Sequence, residues 1–254
     1  DVLRLKDELA RAIADGVHER VSQGDSSAPM PRQVDPEVYL LDLKGRAHIE
    51  LRTAASYGSA LAHFHKALAI DPSYGPSWLG IVRTRNLQVS YGMVAPPEVR
   101  AEMETALAKA REFGADAGEV LGEQAHMRWQ HDFDWEGAEA QFQRALELAP
   151  NNARIWYWRG ITAGSGGNRA ASFEFLDRAE SLDPLSSFIR VARSLMLYFA
   201  DRIPEAIARL NAVLELSPDQ VTGYWILGMA QAVTGDYEAS IANSEKAANF
   251  LGRI

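Results

Sequence analysis

Ala145-Leu-Glu-Leu-Ala-Pro150, Ala179-Glu-Ser-Leu-Asp-Pro184 and Val213-Leu-Glu-Leu-Ser-Pro218 share one grammar: a small residue, an apolar helical turn, and a proline five residues on. The three prolines stand 34 residues apart. A fixed period of this length marks stacked supersecondary units, and missing it would misread the whole fold. Working outward, the same string occurs as Ala67-Leu-Ala-Ile-Asp-Pro72, and 78 residues separate Pro72 from Pro150. That gap holds two periods and about ten further residues, with a degenerate copy, Ala110-Arg-Glu-Phe-Gly-Ala115, inside it. A last copy without proline begins at Ala247, 34 residues after Val213. Six units result.

The period and its pattern resemble the tetratricopeptide repeat, in which a large aromatic, Leu-Gly and a second aromatic on one helix precede Ala, an aromatic and Pro on the next. Tyr224, Leu227 and Gly228 fit the first helix, as do Trp156 and Gly160 with Arg159 in leucine's place. Ala60, Phe64, Ala67 and Pro72 fit the second helix, and so do Ala138, Phe142, Ala145 and Pro150. Ser172, Leu176, Ala179 and Pro184, then Ala206, Leu210, Val213 and Pro218, are conservative versions. The resemblance implies an all-α, right-handed superhelical α-solenoid of about six helix pairs, preceded by one extra N-terminal helix. The units are expected at about 37–74, 75–117, 118–152, 153–186, 187–220 and 221–254.

Small residues such as Gly228, Ala67 and Ala145 let antiparallel helices approach, and bulky ones fill the groove beside them. Each pair leaves one apolar face for its neighbour, and the prolines suit the turns between units. Insertions must then fall in turns. Residues 52–58 are expected to lengthen the first helix–helix turn by about three residues, and residues 89–98, with Pro96-Pro97, to project as a loop about nine longer. Residues 131–134 add about one before a helix that begins near Trp135.

Residues 1–21 carry Leu5, Leu9, Ile13, Val17 and Val21 at four-residue spacing, an amphipathic helix outside the repeat. Residues 22–36, with Gly24, Pro29, Pro31 and Pro36, read as a linker, and residues 37–254 as the repeat array. The chain opens on Asp1 without methionine or a basic–apolar leader, as expected of a processed chain or a piece of a longer one. Unit six is expected to expose an apolar face, including Ile241 and Phe250, with no polar capping helix over it.

Among 254 residues, 26 basic against 34 acidic give a net charge of −8, which repels phosphate backbones and disfavours nucleic acid. No apolar stretch approaches the roughly 20 residues of a membrane-spanning helix. The absence of cysteine removes disulfides and thiolate chemistry. It leaves the compartment open, with cytoplasm favoured and bacterial periplasm an alternative.

No catalytic constellation stands out, and no cofactor is implied. His63 and His65 point apart on a helix and cannot share an ion. His126, His131, Asp132 and Asp134 match no metal loop, and the aromatics around them read as a packed turn. Residues 164–168 lack the Lys-Ser/Thr ending of a phosphate loop and read as a helix–helix turn. Hence neither a metal site nor an enzyme is expected.

In the family it resembles, the first helix of each unit lines the concave surface. That implies a partner-binding groove of Arg46, Arg83, Asn86, Glu119, His126, Trp129 and Arg154 in the polar N-terminal half. Tyr157, Phe188, Val191, Leu195, Tyr198, Trp225 and Met229 line the C-terminal half. The paired Lys and Asn with which some chaperone-binding repeats grip a terminal carboxylate are missing. The layout also resembles the C-terminal repeat regions of bacterial signalling proteins that carry a winged-helix, class III cyclase or kinase domain upstream. The leading expectation is a scaffold that binds a protein or peptide in its groove, as the regulatory or sensory part of a larger protein. Two alternatives stay open: a self-associating module, through residues 1–21 or the uncapped C-terminal face, and a region that senses a small ligand.

Overall fold

The computed structural model describes residues 34–251, with side chains to residue 249. Residues 1–33, which include the expected N-terminal helix and nearly all of the linker, lie outside the described residues, as does the Phe250 side chain. From Pro36 onward the chain forms one compact unit of twelve α-helices, with no strand among the described residues. They form six successive pairs: α1 (Pro36–Glu50) and α2 (Ala54–Ile70), α3 (Gly75–Ser90) and α4 (Pro96–Glu112), α5 (Ala117–Asp132) and α6 (Trp135–Leu148), α7 (Ala153–Ser165) and α8 (Arg169–Leu182), α9 (Ser187–Phe199) and α10 (Ile203–Leu216), α11 (Val221–Thr234) and α12 (Tyr237–Leu251). Each helix packs on its partner and on the next pair, which makes an all-α solenoid.

One position of every second helix decides the packing. Phe64, Met103, Phe142, Leu176 and Leu210 are each completely buried, and each is followed three residues on by a buried smaller residue, Ala67, Ala106, Ala145, Ala179 or Val213, joined in every pair but the fourth by a buried leucine: Leu68, Leu107, Leu146 and Leu214. The wedge needs room on the facing first helix. A Cβ on Gly45 or on Gly80 would stand 2.5 Å from the Phe64 ring, so glycine at both places lets α1 and α3 close on that ring. The turns between pairs are fixed by a second recurrent device. Trp78 Nε1 donates to the Pro72 carbonyl and Trp156 Nε1 to the Pro150 carbonyl, each at 2.9 Å. Asp134, Asn152, Asn168 and Ser186 cap helix N-termini with their side-chain oxygens.

The insertions go elsewhere than expected. The first turn contains only residues 51–53, and the extra residues extend α2 to 17, started by a capping box between Thr53 and Ser56. In the second pair no long loop projects, because α3 and α4 grow to 16 and 17 residues and leave residues 91–95 between them. A residue added within a good helical sequence gains a backbone hydrogen bond, whereas one added to a loop gains none. The same lengthening moves the repeat's register. The counterpart of Ala67 is Ala106, four residues before the degenerate string at Ala110, which belongs to an added helical turn.

Candidate functional site

Arg83 and Asn86 lie three residues apart on α3, and Glu119 and Glu123 four apart on α5, so each couple shares a helix face. The two faces meet along the row of first helices. Arg83 Nε donates to Glu123 Oε1 at 3.0 Å, and its Nη2 lies 3.4 Å from Glu119 Oε2. Arg154, from the start of α7, donates from Nε to the same Glu123 oxygen at 3.1 Å. Asn86 Nδ2 bonds Glu123 Oε2 at 2.9 Å, and Asn152 Nδ2 bonds Glu119 Oε1 at 3.2 Å. Glu123 is only 3% exposed. Burial alone would raise its pKa, but the Arg154 and Arg83 charges hold it well below the usual carboxylate range.

His126 lies one helical turn further on and is fully buried, its ring stacked 3.6 Å from the Trp158 ring centroid. Its Nε2 is 3.2 Å from Ser90 Oγ, which also accepts from Gln130 Nε2 at 2.6 Å. Burial pushes the His126 pKa down, so it is a neutral wall group and not a charged contact. Trp129 stacks on His126 and meets the edge of Trp135.

The first turn reaches across to later pairs. Arg52, at a positive φ of 51°, lays its guanidinium carbon 3.4 Å from the Phe188 ring centroid on α9, and its Nη1 donates to the Tyr91 hydroxyl at 2.9 Å. Glu50 Oε1 lies 4.0 Å from Arg154 Nη1. Tyr157 packs edge-on against Trp158 at 4.7 Å. Helix pairs one, two, four and five are thereby joined through side chains, although their residues lie far apart in sequence.

The remaining residues read from the sequence are dispersed. Arg46 pairs with the buried Asp42 of its own helix at 2.6 Å. Tyr198 packs against Phe199 at 5.5 Å. Val191 is 3% exposed, in the cluster formed with Leu210, Ile226 and Leu227, and Leu195 and Met229 pack partly against that cluster, so these three serve the core more than a groove. Trp225 stays 53% exposed. Val191, 34 residues earlier on α9, occupies the corresponding place and is covered by the next pair. Arg52, Tyr57, Tyr91, Glu123 and Trp158 went unread in the sequence. Glu119 and Glu123, four apart on a first helix, were the signal within reach for the charge network.

The histidine and carboxylate candidates are taken up by other contacts. His63 stacks on His48 at 5.2 Å, Asp132 Oδ1 accepts from Arg100 at 2.6 Å, and Asp134 accepts from Arg128 at 2.6 Å while capping α6. Among the described residues no group of three His, Cys, Asp or Glu is placed to hold a metal ion. Among the described residues, too, no helix is long and apolar enough to cross a membrane.

Residues 133–187 and 192–249 match the family described as tetratricopeptide repeat. Those two stretches, in the second half of the array, carry tetratricopeptide repeats. Human IFIT1 bound to PPP-AAAA, a dimer, shares 17% identity and superposes with a TM-score of 0.66 over 83% of this chain and 49% of that one. The tetratricopeptide-repeat protein TTC0263 of Thermus thermophilus shares 18% identity, with a TM-score of 0.59 over 76% of this chain and 99% of that one. At such identities the likeness is one of fold. Among curated proteins, anaphase-promoting complex subunit 3 of Schizosaccharomyces pombe is 29% identical over 91 residues, which is 36% of this chain and 14% of that protein. The chain therefore spans a small part of that relative and about half of the IFIT1 chain.

Proposed function

We propose that this protein is an interaction scaffold for a protein or peptide partner, with the aromatic C-terminal end of the tetratricopeptide array as its main contact. Repeats of this kind typically bind proteins and do not catalyse reactions, and the relative from Schizosaccharomyces pombe is named as a subunit of a complex. The observation that carries the reading is the exposure of Trp225. Trp225 keeps 53% of its surface in solvent, and Tyr237 and Ile241 on the next helix are exposed as well. A broad aromatic beside an aliphatic side chain is the composition of a binding hot spot. The polar N-terminal half, by contrast, satisfies most of its charges internally, which leaves less of it for a partner. A photo-crosslinking residue at position 225 should trap a partner in the native organism, and Trp225→Ala in full-length protein should weaken that partner's affinity by about 2 kcal/mol. Unchanged affinity with an intact fold would sink the proposal.

The second reading is self-association through this same end, favoured by the shared exposure of Trp225, Tyr237 and Ile241. One observation limits it. The wedge position of α12 is Ser244, not a large apolar residue, and Asn243 Nδ2 bonds Gln231 Oε1 at 2.8 Å. The last helix thus has a more polar inner face than the sequence pattern alone suggested. Sedimentation at increasing concentration distinguishes the readings: a monomer at tens of micromolar leaves only the partner.

A further inference from the structure

A cleft of about 700 Å3 lies where α4, α5 and α6 meet. Its charged lining is of one sign: Arg111 from α4, Arg128 from α5 and Arg144 from α6, with no carboxylate. The chain as a whole carries a net charge of −8, so this lining runs against the overall balance. The three cations are not equally engaged. Arg128 Nε donates to Asp134 Oδ2 at 2.6 Å. Arg111 spends Nη2 on the neutral side-chain oxygen of Gln124 at 3.1 Å. The Arg144 side chain has no partner among the described residues. Arg111 and Arg144 are therefore cations that no carboxylate of the described residues balances.

The rest of the lining is mostly aliphatic. Val120 is 2% exposed, and Leu121, Ala140 and Leu148 continue the strip, the last of them at 57% exposure. Gln141 belongs to the same lining, and its buried side-chain oxygen has no partner among the described residues. The cleft on the other side of α6 supplies a contrast. It measures about 620 Å3, and its charged lining is Glu136 and Glu139, with no basic residue. The grooves between successive helix pairs thus differ in sign, and the basic one is not a general consequence of the solenoid.

We propose that the arginine-lined cleft is a second docking surface, for a partner segment in which carboxylates alternate with aliphatic side chains. The planar guanidiniums of Arg111 and Arg144 match carboxylates in fork geometry. Aliphatic side chains of the segment would displace water from the strip between Val120 and Leu148. A turn of the Gln141 amide presents its oxygen to a backbone N–H, which a peptide carries and a fatty acid does not. A polyanion without apolar groups would leave the strip unfilled and meet the repulsion of the whole chain. The cleft is built from other helices than the one that bears Trp225, so the proposal does not rest on the scaffold contact there.

Fluorescence anisotropy on the full chain tests this with three labelled peptides: one of alternating aspartate and leucine, one with lysine for the aspartate, and one with serine for the leucine. The first should bind along a saturating curve that weakens as salt is added, and the others should bind at least about tenfold more weakly. Arg144→Glu reverses an exposed charge that holds no partner, and should weaken the first peptide about tenfold with the circular dichroism unchanged; Arg111→Glu takes its place if that variant fails to fold. Leu148→Ser should weaken binding several-fold and leave its salt dependence as it was. Octanoate should not compete. Equal binding of the lysine or the serine peptide, competition by octanoate, or arginine variants whose curves overlay the parent would each overturn the proposal. Loss of binding in Trp225→Ala would overturn it too, by placing the peptide at the end of the array, as would a dimer that forms with rising concentration and is lost in Arg144→Glu, by placing a second copy of the chain in the cleft.

Discussion

The guanidinium of Arg52 rests face-on against the ring of Phe188, 3.4 Å from its centroid, and ties the first turn of the array to the start of the ninth helix. In a solenoid most contacts join neighbouring pairs, so one that joins the first pair to the fifth couples units that would otherwise open independently. Loss of a desolvated cation–π contact costs about 2 kcal/mol. Arg52→Ala should therefore speed hydrogen exchange in both α1 and α9. Because residue 52 has a positive φ, Arg52→Gly should be milder than Arg52→Ala by about 1 kcal/mol, the left-handed penalty that glycine escapes. Equal effects of the two variants would show that the turn's backbone is not strained.

Glu123 is the single acceptor shared by Arg83 and Arg154. Glu123→Gln should destabilise the chain by about 3 kcal/mol, since it removes the nearest and most buried counter-charge of two largely buried cations and leaves them only the more distant Glu119 and Glu50. Glu119→Gln, at a carboxylate with 28% of its side chain exposed, should cost under about 1 kcal/mol. Urea denaturation of both variants measures the contrast. Similar losses would mean that the buried position of Glu123 has no special weight.

Stability should fall in two steps as pH drops. The buried His126 has a folded pKa below its unfolded value, so the unfolded chain takes up the proton first. Its contribution is complete above about pH 6.5 and declines as pH falls below that value. Glu123, also depressed, gives a second loss that begins near its unfolded pKa of about 4.3. His126→Phe keeps a ring against Trp158 and should flatten the upper step while leaving the lower one. Denaturation midpoints from pH 8 to pH 3 read both; an unchanged upper step in His126→Phe would assign it elsewhere.

The 34-residue period made the helix pairs and their wedge residues legible, because close packing at Phe64, Phe142, Leu176 and Leu210 writes the same residue types at the same places. The fate of the insertions was not legible, since Pro96-Pro97 suits the first turn of a helix as well as a loop. Arg83 and Glu123, 40 residues apart, straddle that insertion, which hides their alignment in the repeat. The approach of Arg52 to Phe188 depends on small rotations summed over several units, a quantity with no local signature.

Phe64 is held between two glycines, and this gives the sharpest test of the packing. A Cβ on Gly80 would stand 2.5 Å from the ring, and the ring cannot retreat because Gly45 bounds its other side equally closely. Gly80→Ala gains about 1 kcal/mol of intrinsic helix propensity and should still destabilise the protein, since overpacking costs about 1–3 kcal/mol and here has no direction of relief. Phe64→Leu alone should also destabilise, by opening space beside both helices. The double variant should recover much of the combined loss, because Leu176 already fills the same role in the fourth pair, lying close against Gly160. In a double-mutant cycle by urea denaturation, the two losses together should exceed the double variant's loss by at least about 1 kcal/mol. Strict additivity would show that the Phe64 ring finds another place to go, and that the glycine pair does not set the distance between α1 and α3.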